Sequence, residues 1–99
     1  MTSFRADWSR RANQDVDDII TFILKKSSGK AVLAFISRLE KAQDAILKNP
    51  EAAPFFDKSR NIRIRKIDER TALLDEIQID HVDILRVYPY KKDLSRMKI

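Results

Sequence analysis

The chain has 99 residues, of which 20 are basic and 15 are acidic, so its formal net charge is +5. Length predicts one domain over residues 1–99, and 43% hydrophobic residues exclude a disordered chain. The absence of cysteine excludes a disulfide scaffold, a thiolate metal site and a cysteine nucleophile. Neither a signal peptide nor an apolar run long enough to span a membrane is evident, so we expect a cytoplasmic protein. The positive charge favours an anionic partner.

The first half of the chain predicts a strand followed by two helices. Apolar and polar residues alternate over residues 3–8, which is typical of a strand. Ser9 stands at a helix N-cap, and apolar residues follow with helical spacing as far as Ile23. The Asp15, Asp17 and Asp18 carboxylates are interpreted as compensation of the helix dipole. A second helical stripe runs over about residues 30–49 and ends at Pro50, which gives a helical hairpin.

The second half predicts strands at 62–65, 72–79 and 82–88, the last two joined by a tight turn at Asp80 and His81. Residues from about 91 to 99 form a basic tail. The predicted fold class is therefore α+β, with the order βααβββ. We expect the helical hairpin to pack on one face of a mostly antiparallel four-stranded sheet.

Positive charge is concentrated in two segments. Residues 57–67 carry five basic residues and one acidic residue, and residues 86–99 do the same, whereas residues 68–85 carry six acidic residues against Arg70. If Ile62 and Ile64 face the helices, alternation places Arg63 and Arg65 on the open face of the sheet. That face would also carry Arg86 and Tyr88, with Tyr90, Lys91 and Lys92 at its rim.

Such a face could bind phosphate and stack on bases. The alternative is an ordinary solvated sheet face. The single histidine, His81, is expected to be a surface turn residue, and no metal site is predicted because a second histidine and cysteine are lacking. No glycine-rich phosphate loop is possible with one glycine, and no cofactor is expected.

The order of these motifs resembles the RelE/ParE superfamily, the toxins of type II toxin–antitoxin modules, which include plasmid stabilisation proteins. The residues that carry the resemblance are the stretch Trp8 to Ile23, the helix closing at Asn49 and Pro50, the Ile-Arg-Ile-Arg strand at 62–65, and Ile-Leu-Arg-Val at 84–87. The resemblance implies a compact βααβββ fold, growth inhibition, and a cognate antitoxin that binds the toxin in a hetero-oligomer.

The resemblance also implies one of two activities, of which we expect RelE-like mRNA cleavage, with ParE-like inhibition as the alternative. RelE-like members are mRNA interferases, which cut mRNA on the ribosome without a metal, and ParE-like members inhibit DNA gyrase without being enzymes. For the first, the resemblance implies Arg65, Tyr88, Tyr90 and Lys91 as candidate catalytic residues. Arg65 matches a basic strand position of the family, Lys91 or Lys92 falls where an arginine usually follows the last strand, and Tyr88 or Tyr90 could stack on a base or transfer a proton. In that case the RNA-binding residues would be Arg63, Arg86, Lys92 and Lys58.

Three departures from the family pattern keep the second activity, or an attenuated toxin-like binding module, open. Pro89 stands where many members have a histidine after the last strand. Asp75 occupies a common aromatic position, and Glu51 replaces the glycine that usually follows the helix-ending proline.

Overall fold

The computed structural model describes residues 4–89. The predicted site residues Tyr90, Lys91 and Lys92, with the basic tail, lie outside this range. The elements in chain order are β1 (Arg5–Trp8), α1 (Arg10–Lys26), α2 (Gly29–Lys48), a 3₁₀ turn (Pro50–Ala52), β2 (Phe55–Asp57), β3 (Ile62–Lys66), β4 (Thr71–Ile77) and β5 (His81–Pro89).

Both helices begin at a serine cap. The Ser9 side chain accepts a hydrogen bond from the Ala12 amide, and the Ser28 side chain accepts one from the Ala31 amide. Each bond satisfies one amide that the first helical turn leaves without a carbonyl partner. The predicted helical hairpin is thereby confirmed, with α2 extending over Gly29–Lys48.

The sheet has five strands in the order β1-β5-β4-β3-β2 and is mixed. Strand β1 pairs in parallel with β5, and the other neighbours are antiparallel. The expected four-stranded sheet was therefore wrong, although the α+β class is confirmed. The additional strand, Phe55–Asp57, has only three residues, which is too short for its side-chain alternation to be visible in the sequence.

The core lies between the helices and the central strands. Phe35, Leu39 and Ile46 of α2 pack with Leu73 of β4 and with Val82, Ile84 and Val87 of β5. Burying side chains of this size contributes about 1.5–3 kcal/mol each. A second cluster packs Ile62 against Leu74, with four half-buried neighbours around them: Phe56, Ile64, Leu85 and Tyr88.

Helix α1 also closes the edge of β5 beyond the end of β1. The Ser9 amide donates to the Ile84 carbonyl over 3.0 Å, and the Ser9 hydroxyl donates to the Leu85 carbonyl over 2.9 Å. Leu85 is the extra residue of a bulge, since Leu74 pairs with Arg86 while Asp75 pairs with Ile84. The carbonyls of Ile84 and Leu85, at the end of the ladder with β1, are thus bonded to the N-cap residue of α1.

Within residues 4–89, neither helix is apolar over a stretch long enough to cross a lipid bilayer.

Candidate functional site

Arg63 and Arg65 lie on the sheet face that carries the helices, opposite to the expected arrangement. Arg63 pairs with Asp75 and Arg65 pairs with Leu73, and directly paired residues share a face. Leu73 belongs to the helix-facing core, whereas Ile62 packs in the second cluster. Alternation along β3 required Ile and Arg to face opposite ways, but it did not determine which of them faced the helices.

The Arg63 guanidinium holds the segment that follows α2. Its Nη1 donates to the Ala53 carbonyl over 2.6 Å and to the Glu51 carbonyl over 3.1 Å. The guanidinium carbon also lies 4.1 Å from the centroid of the Phe55 ring, a cation–π contact. Arg63 therefore has a structural role that the sequence did not indicate. Only the guanidinium N–H groups that are not bonded to these carbonyls could donate to a ligand.

Asp75 is a buried carboxylate between these arginines. Its side chain is 1% exposed, and neither carboxylate oxygen has a hydrogen-bond partner among residues 4–89. Nε and Nη2 of Arg65 are likewise buried without a hydrogen-bond partner in that range. Burial raises the pKa of Asp75 to about 6, and the charges of Arg65 and Arg63 offset part of that effect. A carboxyl group of this pKa can exchange a proton close to neutral pH.

Arg86 is bound to helix α1 rather than left on an open face. Its Nε donates to Asp15 Oδ2 over 2.7 Å and its Nη2 donates to Asp15 Oδ1 over 3.0 Å. The Val87 amide donates to the same Oδ2 over 3.1 Å. The two side chains are 12% and 14% exposed, and the hydrogen bond to Asp15 raises the pKa of Arg86. Asp15 is thus an ion-pair partner of the last strand, a role that its interpretation as dipole compensation did not include.

Tyr88 is separated from the two arginines of β3. It packs against the second cluster, with its ring centroid 4.9 Å from the Arg86 guanidinium carbon. It pairs across the sheet with Ala72, which in turn pairs with Lys66. Among the described residues, the predicted catalytic groups Arg65 and Tyr88 are therefore not gathered around one point.

Lys58 lies at the edge of the sheet near β2. Its Nζ is 6.0 Å from the centroid of the Phe55 ring, and Phe55 is 39% exposed. The turn that presents Lys58 is ordered by Asp57, whose Oδ1 accepts from the Ser59 hydroxyl at 2.8 Å. Asn61 ends the turn in the left-handed conformation, with φ of 59°, which asparagine adopts more readily than most residues. Among the described residues that were predicted to bind or cleave RNA, Lys58 is exposed, whereas Arg63, Arg65, Arg86 and Tyr88 are half-buried.

A wide groove, hereafter the helix groove, runs between the two helices and the end of the sheet. Its walls are residues of α1 and α2, the β3–β4 turn at 67–70, and the end of β5 from Arg86 to Tyr88. Phe22 lines the groove and is 60% exposed, although it is a large apolar residue. Both acidic and basic groups line the walls: Asp15, Asp18, Lys26, Arg38, Asp68, Glu69 and Arg70. An amphipathic segment could therefore place its apolar side on Phe22 and its charged side chains, whether acidic or basic, against the groove walls.

No protein-family model matches the chain, and no curated protein matches it significantly. Solved structures match with a probability of 1.00. A chain of the chromosomal ParDE toxin–antitoxin system from P. aeruginosa superposes with a TM-score of 0.75 at 13% identity, covering 88% of this chain and 96% of that one.

Two E. coli structures are also similar. The DinJ–YafQ toxin–antitoxin complex matches with a TM-score of 0.60 at 10% identity, over 89% of this chain and 93% of that one. YafQ from strain BL21(DE3) matches with a TM-score of 0.57 at 11% identity, over 86% and 91% respectively. The resemblance to the RelE/ParE superfamily is thereby confirmed as a likeness of fold.

Replacing Asp15 with alanine should cost about 3 kcal/mol of unfolding free energy, because the half-buried Arg86 guanidinium and the Val87 amide both lose their acceptor. Asp17→Ala is the matched control, since it makes the same change at an exposed position of the same helix. It should cost about 0.5 kcal/mol or less. Urea denaturation of the two variants measures both values, and equal losses would contradict the assigned role of the Asp15 carboxylate.

The stability of the protein should depend on the Asp75 proton. Because the folded-state pKa is raised from 3.8 to about 6, the folded state binds more protons across this interval, and the unfolding free energy falls as pH rises through it. Asp75→Asn removes this dependence. The unfolding free energy of the variant minus that of wild type should therefore increase by about 2–3 kcal/mol as the pH rises from about 4 to about 7.

Chemical denaturation at several pH values tests this expectation. Asp17→Asn, which removes an exposed carboxylate, should keep the pH profile of wild type. An Asp75→Asn profile parallel to that of wild type would show that the buried carboxyl group does not titrate in this interval.

Proposed function

We propose that this chain is the toxin of a type II toxin–antitoxin module, and that it inhibits growth by binding a target in the manner of ParE toxins. The observation that carries the first part is the fold shared with the ParDE and YafQ chains over more than four fifths of the present chain. A cytoplasmic location is part of the proposal, because DNA gyrase and ribosomes are cytoplasmic.

The placement of the arginines favours binding over RNA cleavage. Cleavage needs cations and proton-transfer groups within reach of one phosphate. Arg63 donates to two backbone carbonyls and Arg86 forms a bidentate ion pair with Asp15. Tyr88 packs with Ile62 and Leu74, on the sheet face opposite to that of Arg63 and Arg65. The arginines and the tyrosine that would have to act together on RNA are therefore held apart by contacts within the protein. A protein that only binds its target does not need these groups to meet at one point.

RelE-like mRNA cleavage is the second candidate, and one observation favours it. Arg65 retains two guanidinium nitrogens without a hydrogen-bond partner within residues 4–89, beside a carboxyl group with a pKa of about 6. A cation next to a group able to exchange a proton is the combination that 2′-hydroxyl attack on a phosphate needs. Tyr90 and Lys91 remain predicted members of that site.

Expression without an antitoxin separates the two candidates. We expect growth arrest with DNA breaks and an SOS response, intact transcripts, and inhibition of DNA supercoiling when the purified chain is added to DNA gyrase. Arrest with transcripts cut on the ribosome and unchanged supercoiling would establish the second candidate instead. In that case Arg65→Gln should abolish cleavage, and Arg60→Gln, at an exposed turn position, should not. Normal growth under full expression would contradict both.

The partner in the proposed complex is an antitoxin, as in the ParDE and DinJ–YafQ systems. We assign its docking site to the helix groove, because the groove exposes Phe22 beside the half-buried Ile19 and Ile23. An amphipathic antitoxin segment would cover these apolar groups and pair with the charges of the groove walls.

Phe22→Ser should weaken antitoxin binding at least about tenfold, as expected for a large apolar anchor. Leu33→Ser is the matched control, because Leu33 is 68% exposed on α2 and does not line the groove. It should change the affinity less than about twofold. Calorimetry with the protein encoded beside this gene provides the measurement, and equal effects of the two variants would place the antitoxin elsewhere.

A further inference from the structure

Three potential metal ligands meet where strands β1 and β5 run side by side, away from the helix groove. Asp7 pairs with Asp83 across the parallel ladder, and Arg5 pairs with His81. Nε2 of His81 lies 3.1 Å from Asp83 Oδ1 and 3.9 Å from Asp7 Oδ2. One ligand atom from each of Asp7, His81 and Asp83 lies within 4.8 Å of the other two. An ion between these atoms could contact all three.

We propose that Asp7, His81 and Asp83 form a binding site for a divalent transition-metal ion, with Zn²⁺ the ion that fits best. This inference is independent of the proposed toxin function. The sequence predicts that His81 is a surface residue without ligand partners, because the chain has neither a second histidine nor a cysteine. The pairing of β1 with β5 supplies carboxylates instead, and these could not be connected with His81 from the sequence.

Each of the three ligands is oriented by a neighbour outside the set. Asp80 Oδ1 lies 2.6 Å from His81 Nδ1, which leaves Nε2 directed at the two carboxylates. Gln78 Nε2 donates to Asp83 Oδ2 over 3.1 Å and so leaves Oδ1 available for the ion.

Asp7 is oriented in the same way by a cation. Arg5 Nε donates to Asp7 Oδ1 over 3.2 Å, and this leaves Oδ2 available. Second partners of this kind, above all a carboxylate on the distal nitrogen of a ligating histidine, are characteristic of protein metal sites. The arrangement thus has the ligands and their supporting hydrogen bonds, which is more than an accumulation of acidic side chains.

The donor set determines the class of ion. An imidazole nitrogen with two carboxylate oxygens suits Zn²⁺ and similar transition metals, whereas Ca²⁺ and Mg²⁺ prefer oxygen alone. The side chains of Asp7, His81 and Asp83 are 47%, 21% and 35% exposed, so the ion has a path from solvent and water can complete its coordination. Since β1 is an edge strand joined to the sheet only through β5, a bound ion would fasten that edge.

Calorimetric titration of ZnCl₂ into tag-free, chelator-treated full-length protein at about pH 8 tests the site, because metal ions bind deprotonated imidazole. We expect one saturable site and a higher melting temperature with Zn²⁺. His81→Ala and Asp83→Asn should each weaken binding at least about tenfold and abolish the thermal shift. Since His81 is the only histidine and the chain has no cysteine, no other imidazole or thiolate can account for the signal.

Asp80→Asn, which changes the support of His81 but not a ligand, should weaken binding about 10-fold or more. Asp17→Asn, at an exposed position of α1, should bind as wild type does. Circular dichroism should confirm that each variant is folded. The absence of saturable binding to the wild type, or an affinity in His81→Ala and Asp83→Asn equal to that of the wild type, would overturn the proposal. Both outcomes are independent of whether the chain arrests growth.

Discussion

Helix α1 is fastened to the last strand through the Asp15 carboxylate, which accepts two hydrogen bonds from Arg86 and one from the Val87 amide. Strand β1 pairs with β5 only as far as Ile84, so beyond that point the backbone of β5 has no strand neighbour on that side. A buried amide without a hydrogen-bond partner destabilises the fold, and here the Asp15 side chain of α1 accepts the hydrogen bond of the Val87 amide. The position of α1, and with it one wall of the helix groove, depends on this carboxylate.

Arg63 plays a corresponding part at the other side of the sheet. By donating to the Glu51 and Ala53 carbonyls, it binds the segment between α2 and β2 to strand β3. Two of the arginines expected to recognise RNA are therefore used first to hold secondary-structure elements together. These structural roles of Arg63 and Arg86 are the physical reason why the proposed function is target binding and not RNA cleavage.

Local sequence signals predicted most of the elements. The serine caps and the apolar stripes predicted both helices, and the alternation of Ile and Arg predicted β3, because these patterns depend on neighbours along the chain. Contacts between distant segments were not predictable in this way. The parallel pairing of β1 with β5, the Asp15–Arg86 ion pair and the grouping of Asp7 with His81 each join residues some 70 positions apart.

The candidate site was predicted less well than the fold for the same reason. Arg63 and Arg65 were correctly placed on one face of β3, but the identity of that face is decided by packing against β4 and the helices. Asp75 was noticed only as a departure from a pattern. Its burial beside two arginines became evident once the register of β3 and β4 was known.

The parallel ladder between β1 and β5 has a consequence for the order of folding. Its partners Arg5 and His81 lie at opposite ends of the described chain, so this ladder closes a loop that contains every other element. Closing a long loop is entropically unfavourable, and contacts of this kind slow folding. During synthesis the two helices and then the antiparallel strands can form as they emerge from the ribosome. The first strand must wait for the last, so the sheet becomes complete only when translation has passed β5.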